Sequence, residues 1–173
     1  RSRGSITLSV HIAAAIPAAT PICPAVFITR GLPMPTWVQL KARPASKGQY
    51  GYGFVLNSSI NQVVCHGVPA ADDILKSGDI VNLDITLEKN GYIADSSKTF
   101  LVGEVHPAAK RLVRGTYEAL WQGIRTVRPG ARLGDIGAAI ERHAKKYGYS
   151  VVREYCGHGI GREMHEDPQV LHF

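Results

Sequence analysis

Acid is missing from the first 71 residues of this 173-residue chain. That stretch holds six basic residues, Arg1, Arg3, Arg30, Lys41, Arg43 and Lys47, and no Asp or Glu. Residues 72–173 carry fourteen basic and fourteen acidic side chains, so the formal net charge of +6 belongs to the first part of the chain. An excess placed there makes no basic stripe on a folded face, and no DNA partner is expected. Cysteine is sparse. Cys23, Cys65 and Cys156 are odd in number and widely spaced, which argues against a disulfide framework or a CxxC metal pair and suits a reducing cytoplasm. No apolar run approaches the roughly 18 residues that a membrane span needs, so no membrane partner is expected. The phosphate-loop pattern is absent, and Gly157-His-Gly-Ile-Gly161 lacks the third glycine of a dinucleotide fingerprint.

What is present divides unevenly. Residues 1–53 include six prolines between Pro17 and Pro44 and sustain neither a helical nor a strand period. They read as an atypical, acid-free arm, with Val26–Ile28 a candidate for a short strand. Such a composition, starting at Arg1, is expected of a fragment or an altered gene start. Residues 54–173 read as the ordered part, enough for one domain with a core.

Within it, Ile60–His66 alternates and is β-branched, as a strand would be. Asp79–Leu87 alternates again, with Ile80, Asn82, Asp84 and Thr86 on one face and Val81, Leu83, Ile85 and Leu87 on the other. Asn90-Gly91 signals a two-residue hairpin turn, and Tyr92–Val102 is the returning strand. In that register position i pairs with 181 minus i. Asp84 then faces Ser97, Thr86 faces Asp95, and the two carboxylates lie diagonally on one face, with backbones roughly 7–8 Å apart. Helices are expected over 107–127, with Pro107 in the first turn and Leu112, Leu120, Ile124 and Val127 recurring, and over 134–147. In the second, Ile136, Ala139, Ile140 and Ala144 point inward and Gly148 caps. A strand at Tyr149–Tyr155 is expected to lead into the last motif. The order implies an α+β fold.

That last motif sets His158 and His165 seven residues apart, with Gly159 and Gly161 between them to let the backbone approach whatever the histidines hold. With His66, Asp84 and Asp95 upstream, the five residues form most of a metal-dependent hydrolytic site. Two acids on one sheet face repel, and a divalent cation removes that cost. Neutral imidazole suits a borderline metal. Plainer readings stand beside this one. Asp84 and Asp95 fit a solvated sheet face, His66 a satisfied core residue, and His165 an ion pair with Glu166 or Asp167. A Cys–His nucleophile from Cys65/His66 or Cys156/His158 is disfavoured; Cys65 and His66, as sequence neighbours on a strand, would point to opposite faces.

Four segments then carry a resemblance: Val63-Val-Cys-His-Gly-Val-Pro69, Gly78-Asp-Ile-Val-Asn-Leu-Asp84, Gly91-Tyr-Ile-Ala-Asp-Ser-Ser-Lys-Thr-Phe100, and Glu154-Tyr-Cys-Gly-His-Gly-Ile-Gly161 through His165-Glu-Asp-Pro168. In order and spacing, from about Ser59 to Phe173, the chain resembles type I methionine aminopeptidases of the bacterial or organellar kind. The resemblance implies the pita-bread fold, of which these residues would be a part, with an antiparallel sheet and helices on one side. It implies removal of the initiator methionine from nascent polypeptide N-termini, with the ribosome as a further partner. It implies two divalent metal ions of the cobalt, manganese, iron or zinc class. Asp84 would chelate one metal, Asp95 would bridge both, and His158 would ligate the other. His66 and His165 would contact the substrate near the scissile peptide and stabilise the transition state.

The chain also departs from that pattern. The family's two further glutamate ligands, one of them its proposed general base, have no match in these residues. The family's N-terminal helices are not recognisable in residues 1–48, and its Gly-Phe-Pro-Lys-Ser segment is reduced to Gly53-Phe-Val-Leu-Asn57; Tyr50 and Tyr52 are left without an assigned pocket role. The competing expectation is a non-catalytic pita-bread relic that binds peptide N-termini, a ribosome surface or a partner protein. A proline dipeptidase keeps the ligand set but fits Cys156–Gly161 less well.

Overall fold

The computed structural model describes residues 41–173 throughout, and of the first forty residues only the backbone of 5–7 and 14–16. Val26–Ile28, Cys23 and most of the proline-rich arm lie outside the described residues. In chain order the elements are β1 (Ser5–Thr7), β2 (Ala14–Ile16), β3 (Arg43–Pro44), a 3-10 turn at Gln49–Gly51, β4 (Asn57–Ile60), β5 (Ile80–Lys89), β6 (Tyr92–Val102), α1 (Pro107–Thr126), α2 (Leu133–Lys146), β7 (Gly157–Ile160) and β8 (Glu166–Val170).

The β5–β6 hairpin is the frame. Asn90 and Gly91 both take positive φ, 55° and 75°, as the two-residue turn requires. The ladder runs unbroken from Ile80↔Leu101 to Lys89↔Tyr92, with Asp84 opposite Ser97 and Thr86 opposite Asp95, the register expected from the sequence. β4 pairs antiparallel with β5, Asn57 opposite Asp84, and β2 adds in parallel to β6. Alternation separates the two faces. Val81 and Leu83 join Leu56, Leu75 and Val102 in a buried cluster, and Val55, Ile60, Ile85 and Phe100 pack against it. The opposite face carries the row Asn57–Asp84–Ser97 and the pair Thr86–Asp95.

Helix α1 starts at Pro107 behind His106, whose ring accepts a hydrogen bond from Ala108 N, and α2 ends before Gly148 at φ 78°. Ala119 of α1 packs with Ile136 and Ile140 of α2 and Val170 of β8, and Leu120, Ile124 and Val151 close around them. Gly123 lets the helices approach: a Cβ there would lie 2.9 Å from Ile140. Leu112 and Val127 are not part of this seam and stay exposed. Among the described residues no helix is long and apolar enough to cross a membrane.

Two expected strands are displaced. The strand expected at Ile60–His66 lies earlier, at Asn57–Ile60. Asn61 ends it at φ 51°, bonding through its side chain to Asp79 Oδ1 and Ile80 N, and Val63 and Val64 then face outward. Tyr149–Tyr155 is not a strand either. Its side chains anchor to the helices instead: Tyr149 lies against Tyr147 and Arg111, and Arg153 bonds Glu141 of α2. The strand begins only at Gly157, paired with both β8 and β1.

Candidate metal centre

Five residues expected from the sequence fall on three neighbouring pieces. Asp84 and Asp95 come from the central hairpin, His158 from β7, His165 from the turn into β8, and His66 from the loop after β4. The loop is pinned by Gly67, whose carbonyl accepts from Ser58 N at 2.8 Å and whose N–H donates to Ser59 Oγ at 3.1 Å. A side chain at Gly67 would strike the Ser58 backbone. His66 itself sits at φ 55°, with its ring edge-on to Tyr155 at 5.6 Å between centroids. The two sheets meet where Ile93 N donates to Gly161 O at 2.7 Å and Arg162 lies over the Tyr92 ring at 5.0 Å.

That junction brings His158 Nε2 to 3.9 Å from Asp95 Oδ2, and the His158 and His165 rings to 4.5 Å between centroids. His158 Nδ1 lies 3.0 Å from the Gly159 carbonyl oxygen. A carbonyl can only accept, so Nδ1 holds a proton, and in that tautomer the lone pair lies on Nε2. The Asp95 carboxylate is near enough to Asp84 for its charge to act on it. Burial first, and the Asp95 charge second, push the Asp84 carboxyl above the usual carboxylate range, against the Asn57 hydrogen bond that opposes the rise. Burial, together with the His158 and His66 rings, lowers the His165 pKa, so His165 is neutral at pH 7.

Two carboxylates and one imidazole lone pair therefore face one another. All are acceptors, and hard oxygen with borderline nitrogen is a donor set for a divalent ion. Among the described residues no three His, Cys, Asp or Glu side chains are closed to coordinating distance. Donors at about 2.0–2.2 Å from one ion lie roughly 3–3.6 Å apart, so the 3.9 Å between His158 and Asp95 has to close by roughly 0.3–0.9 Å for them to share one. The fit is of donor chemistry.

The glycines between the histidines act differently from expectation. A Cβ at Gly159 would lie 2.9 Å from Asp167 C and from Glu166 O, and one at Gly161 would meet the Glu166 carboxylate. They admit the returning strand, and their closeness to it sets the histidine spacing. Glu166 accepts from Arg162 N and Glu163 N, which closes this turn, so it is engaged by backbone.

Sequence reasoning passed over several neighbours. Asn57 donates to Asp84 Oδ2 and Thr86 to Asp95 Oδ1. Thr86 was legible as sharing the carboxylate face from the register alone; Asn57, which precedes the strand expected at Ile60–His66, was not. Tyr52 is near enough to Asp84 for that charge to help raise its pKa, after burial, and its hydroxyl donates to Leu56 O, whereas Tyr50 is 96% exposed. The Cys65 thiol, beside His66, raises the Tyr155 pKa. Cys65 and Cys156 are free thiols.

A hairpin that carries paired carboxylates, faced by a histidine strand, defines a metallopeptidase class, and comparison agrees. Residues 36–173 match metallopeptidase family M24, and the chain belongs to that family. Within it the chain is 50% identical over 134 residues to the methionine aminopeptidase of Haemophilus influenzae, covering 77% of this chain and 50% of that protein. The crystal structure of methionine aminopeptidase from Rickettsia prowazekii superposes with a TM-score of 0.76 at 48% identity, over 79% of this chain and 54% of that one. Prolidase from Pyrococcus furiosus matches at 0.63 and 25% identity, over 69% and 36%. The fold is thus the α+β pita-bread type, and the chain spans about half the length of the curated relatives it matches.

Proposed function

We propose that this chain is part of a methionine aminopeptidase, which removes the initiator methionine from new polypeptides. The observation that carries the reading is the convergence of the Asp84 and Asp95 carboxylates with the His158 Nε2 lone pair. Identity of 50% to a named methionine aminopeptidase supports it. Asp84, Asp95 and His158 hold divalent ions of the cobalt, manganese, iron or zinc class, two per complete site. When bound, the ions polarise the scissile carbonyl and supply the positive charge that the carboxylates await. His165, whose pKa burial lowers, and His66, fixed by Gly67, contact the substrate near the scissile peptide. The substrates are N-termini of nascent chains, met in the cytoplasm and at the ribosome surface. Residues 54–173 form the catalytic portion, and the acid-free segment 1–53 adds β1, β2 and β3 to its sheets.

The 173 residues supply three ligands, and the two glutamates that the family resemblance adds are not among them. The chain alone therefore binds metal and peptide N-termini with little turnover, which is the relic-like behaviour expected as the alternative. The test is a cobalt titration of the purified chain, with release of Met from a Met-Ala-Ser peptide measured alongside. Cobalt uptake lost in both Asp95→Asn and His158→Ala supports the assignment. Unchanged metal content in either variant rules it out, and robust turnover by the chain alone overturns the argument from the missing glutamates.

A further inference from the structure

We infer that Asn57 is a positioning residue for the metal centre: it holds Asp84 by one oxygen and leaves the other free to ligate. This rests on the metal assignment above and deepens it. Asn57 stands on β4 directly opposite Asp84 of β5 in the antiparallel register. Its amide Nδ2 lies 3.3 Å from Asp84 Oδ2. A carboxylate ion offers no proton, so the amide donates. The donor is set by the backbone, because the flanking Leu56 and Ser58 are each 3% exposed and point into the opposite face. Ser58 N is tied in turn to Gly67 O. Asn57 therefore cannot drift away without pulling β4 out of register.

The same arrangement recurs on the second carboxylate. Thr86 Oγ1 donates to Asp95 Oδ1 at 3.1 Å. The oxygen left over, Oδ2, is the one that faces His158 Nε2. In each case a neutral cross-strand donor takes one carboxylate oxygen and so selects its twin. Neutrality matters: a lysine or arginine in either place would compete with the cation, whereas an amide or hydroxyl orients the ligand and leaves its charge intact. Without Asn57 nothing on β4 holds Asp84 Oδ2, and the carboxyl loses the contact that fixes which oxygen it presents.

Outer-shell donors of this kind change metal affinity by about 10–100-fold. The experiment is a cobalt(II) titration of the full chain followed by calorimetry and by visible absorption, with far-UV circular dichroism melts to confirm folding. Asn57→Leu keeps the branched shape with some added bulk and removes the donor; Asn57→Ala removes shape and donor and covers the case in which leucine is not accommodated. The expected result is a rise in cobalt Kd of about 10-fold or more with an altered absorption band in a folded variant, partly restored in Asn57→Gln. Folded Leu and Ala variants that bind cobalt within about two-fold of the unsubstituted chain, with the same band, would overturn the inference alone. An unsubstituted chain that takes up no cobalt overturns the metal reading and this inference together.

Discussion

Replacing Gly159 by alanine tests whether strand contact sets the histidine geometry. In an open strand the change would stabilise, because glycine in a strand interior costs roughly 0.5–1 kcal/mol relative to alanine. Here a Cβ would lie 2.9 Å from both Asp167 C and Glu166 O, and nearer still to Asp167 O. All three are backbone atoms of β8, so no side chain can swing aside. Ordinary van der Waals contact needs about 3.4–3.5 Å, so β7 and β8 must part by roughly 1 Å. Overpacking of this kind costs about 1–3 kcal/mol, and the rigid neighbours place it at the upper end. For a chain of this size that is a fall in Tm of about 6–12 °C. A shift of roughly 1 Å also exceeds the ±0.2 Å within which ligand distances must hold, so cobalt affinity should fall with stability. Gly134→Ala is the control: it lies in the first turn of α2 with nothing within 4 Å of the added methyl, and should gain about 1 kcal/mol. Thermal melts and a cobalt titration on the three proteins decide. A Gly159→Ala chain that melts at or above the parent temperature, with unchanged cobalt affinity, refutes the reasoning.

Two further outcomes follow from charge. The raised pKa of Asp84 means that the folded, metal-free chain holds this proton more tightly than the unfolded chain does, so ionising it costs stability as pH rises through the carboxylate range. Asp84→Asn should therefore melt higher than the parent at pH 7 without metal and gain little at pH 3; equal melting at pH 7 would remove the case for repulsion. At the helix pair, Glu118 accepts from Tyr147 OH at 2.6 Å and faces His143 and Arg114, contacts that lower its pKa. A depressed carboxyl contributes stability above its unfolded pKa, about 4.3, and loses it as pH falls through the folded value. Glu118→Gln should flatten that acid limb in urea melts between pH 5 and 3, and an unchanged slope would reject it.

The hairpin and its register were legible because Asn90-Gly91 allows few turn types and the alternation of 80–87 fixes which residues share a face. With that register came the Asp84–Asp95 pair. The helices were legible from their caps, yet the seam between them was not: Gly115, Ala119 and Gly123 are buried there, and small residues leave no hydrophobic signal. Ile60–His66 misled because β-branched residues favour a strand wherever one can form, and here Asn61 trades the ladder for side-chain bonds to Asp79 and Ile80. Tyr149–Tyr155 misled similarly, its aromatics being spent on Arg111 and the helices. The contributions of Asn57 and Tyr52 depend on long-range pairing that local pattern does not encode.

The site straddles two separately packed clusters, one behind the β5 face and one between the helices and β8. What joins them near the carboxylates is the Ile93–Gly161 hydrogen bond and the Arg162–Tyr92 contact. Subglobal opening along such a seam requires less free energy than global unfolding, since neither cluster need come apart. If Asp95 and His158 hold one ion, as proposed above, it would act as a rivet, and its binding free energy would add to the cooperativity between the two units. Metal binding and the mechanical unity of the domain would then be the same equilibrium.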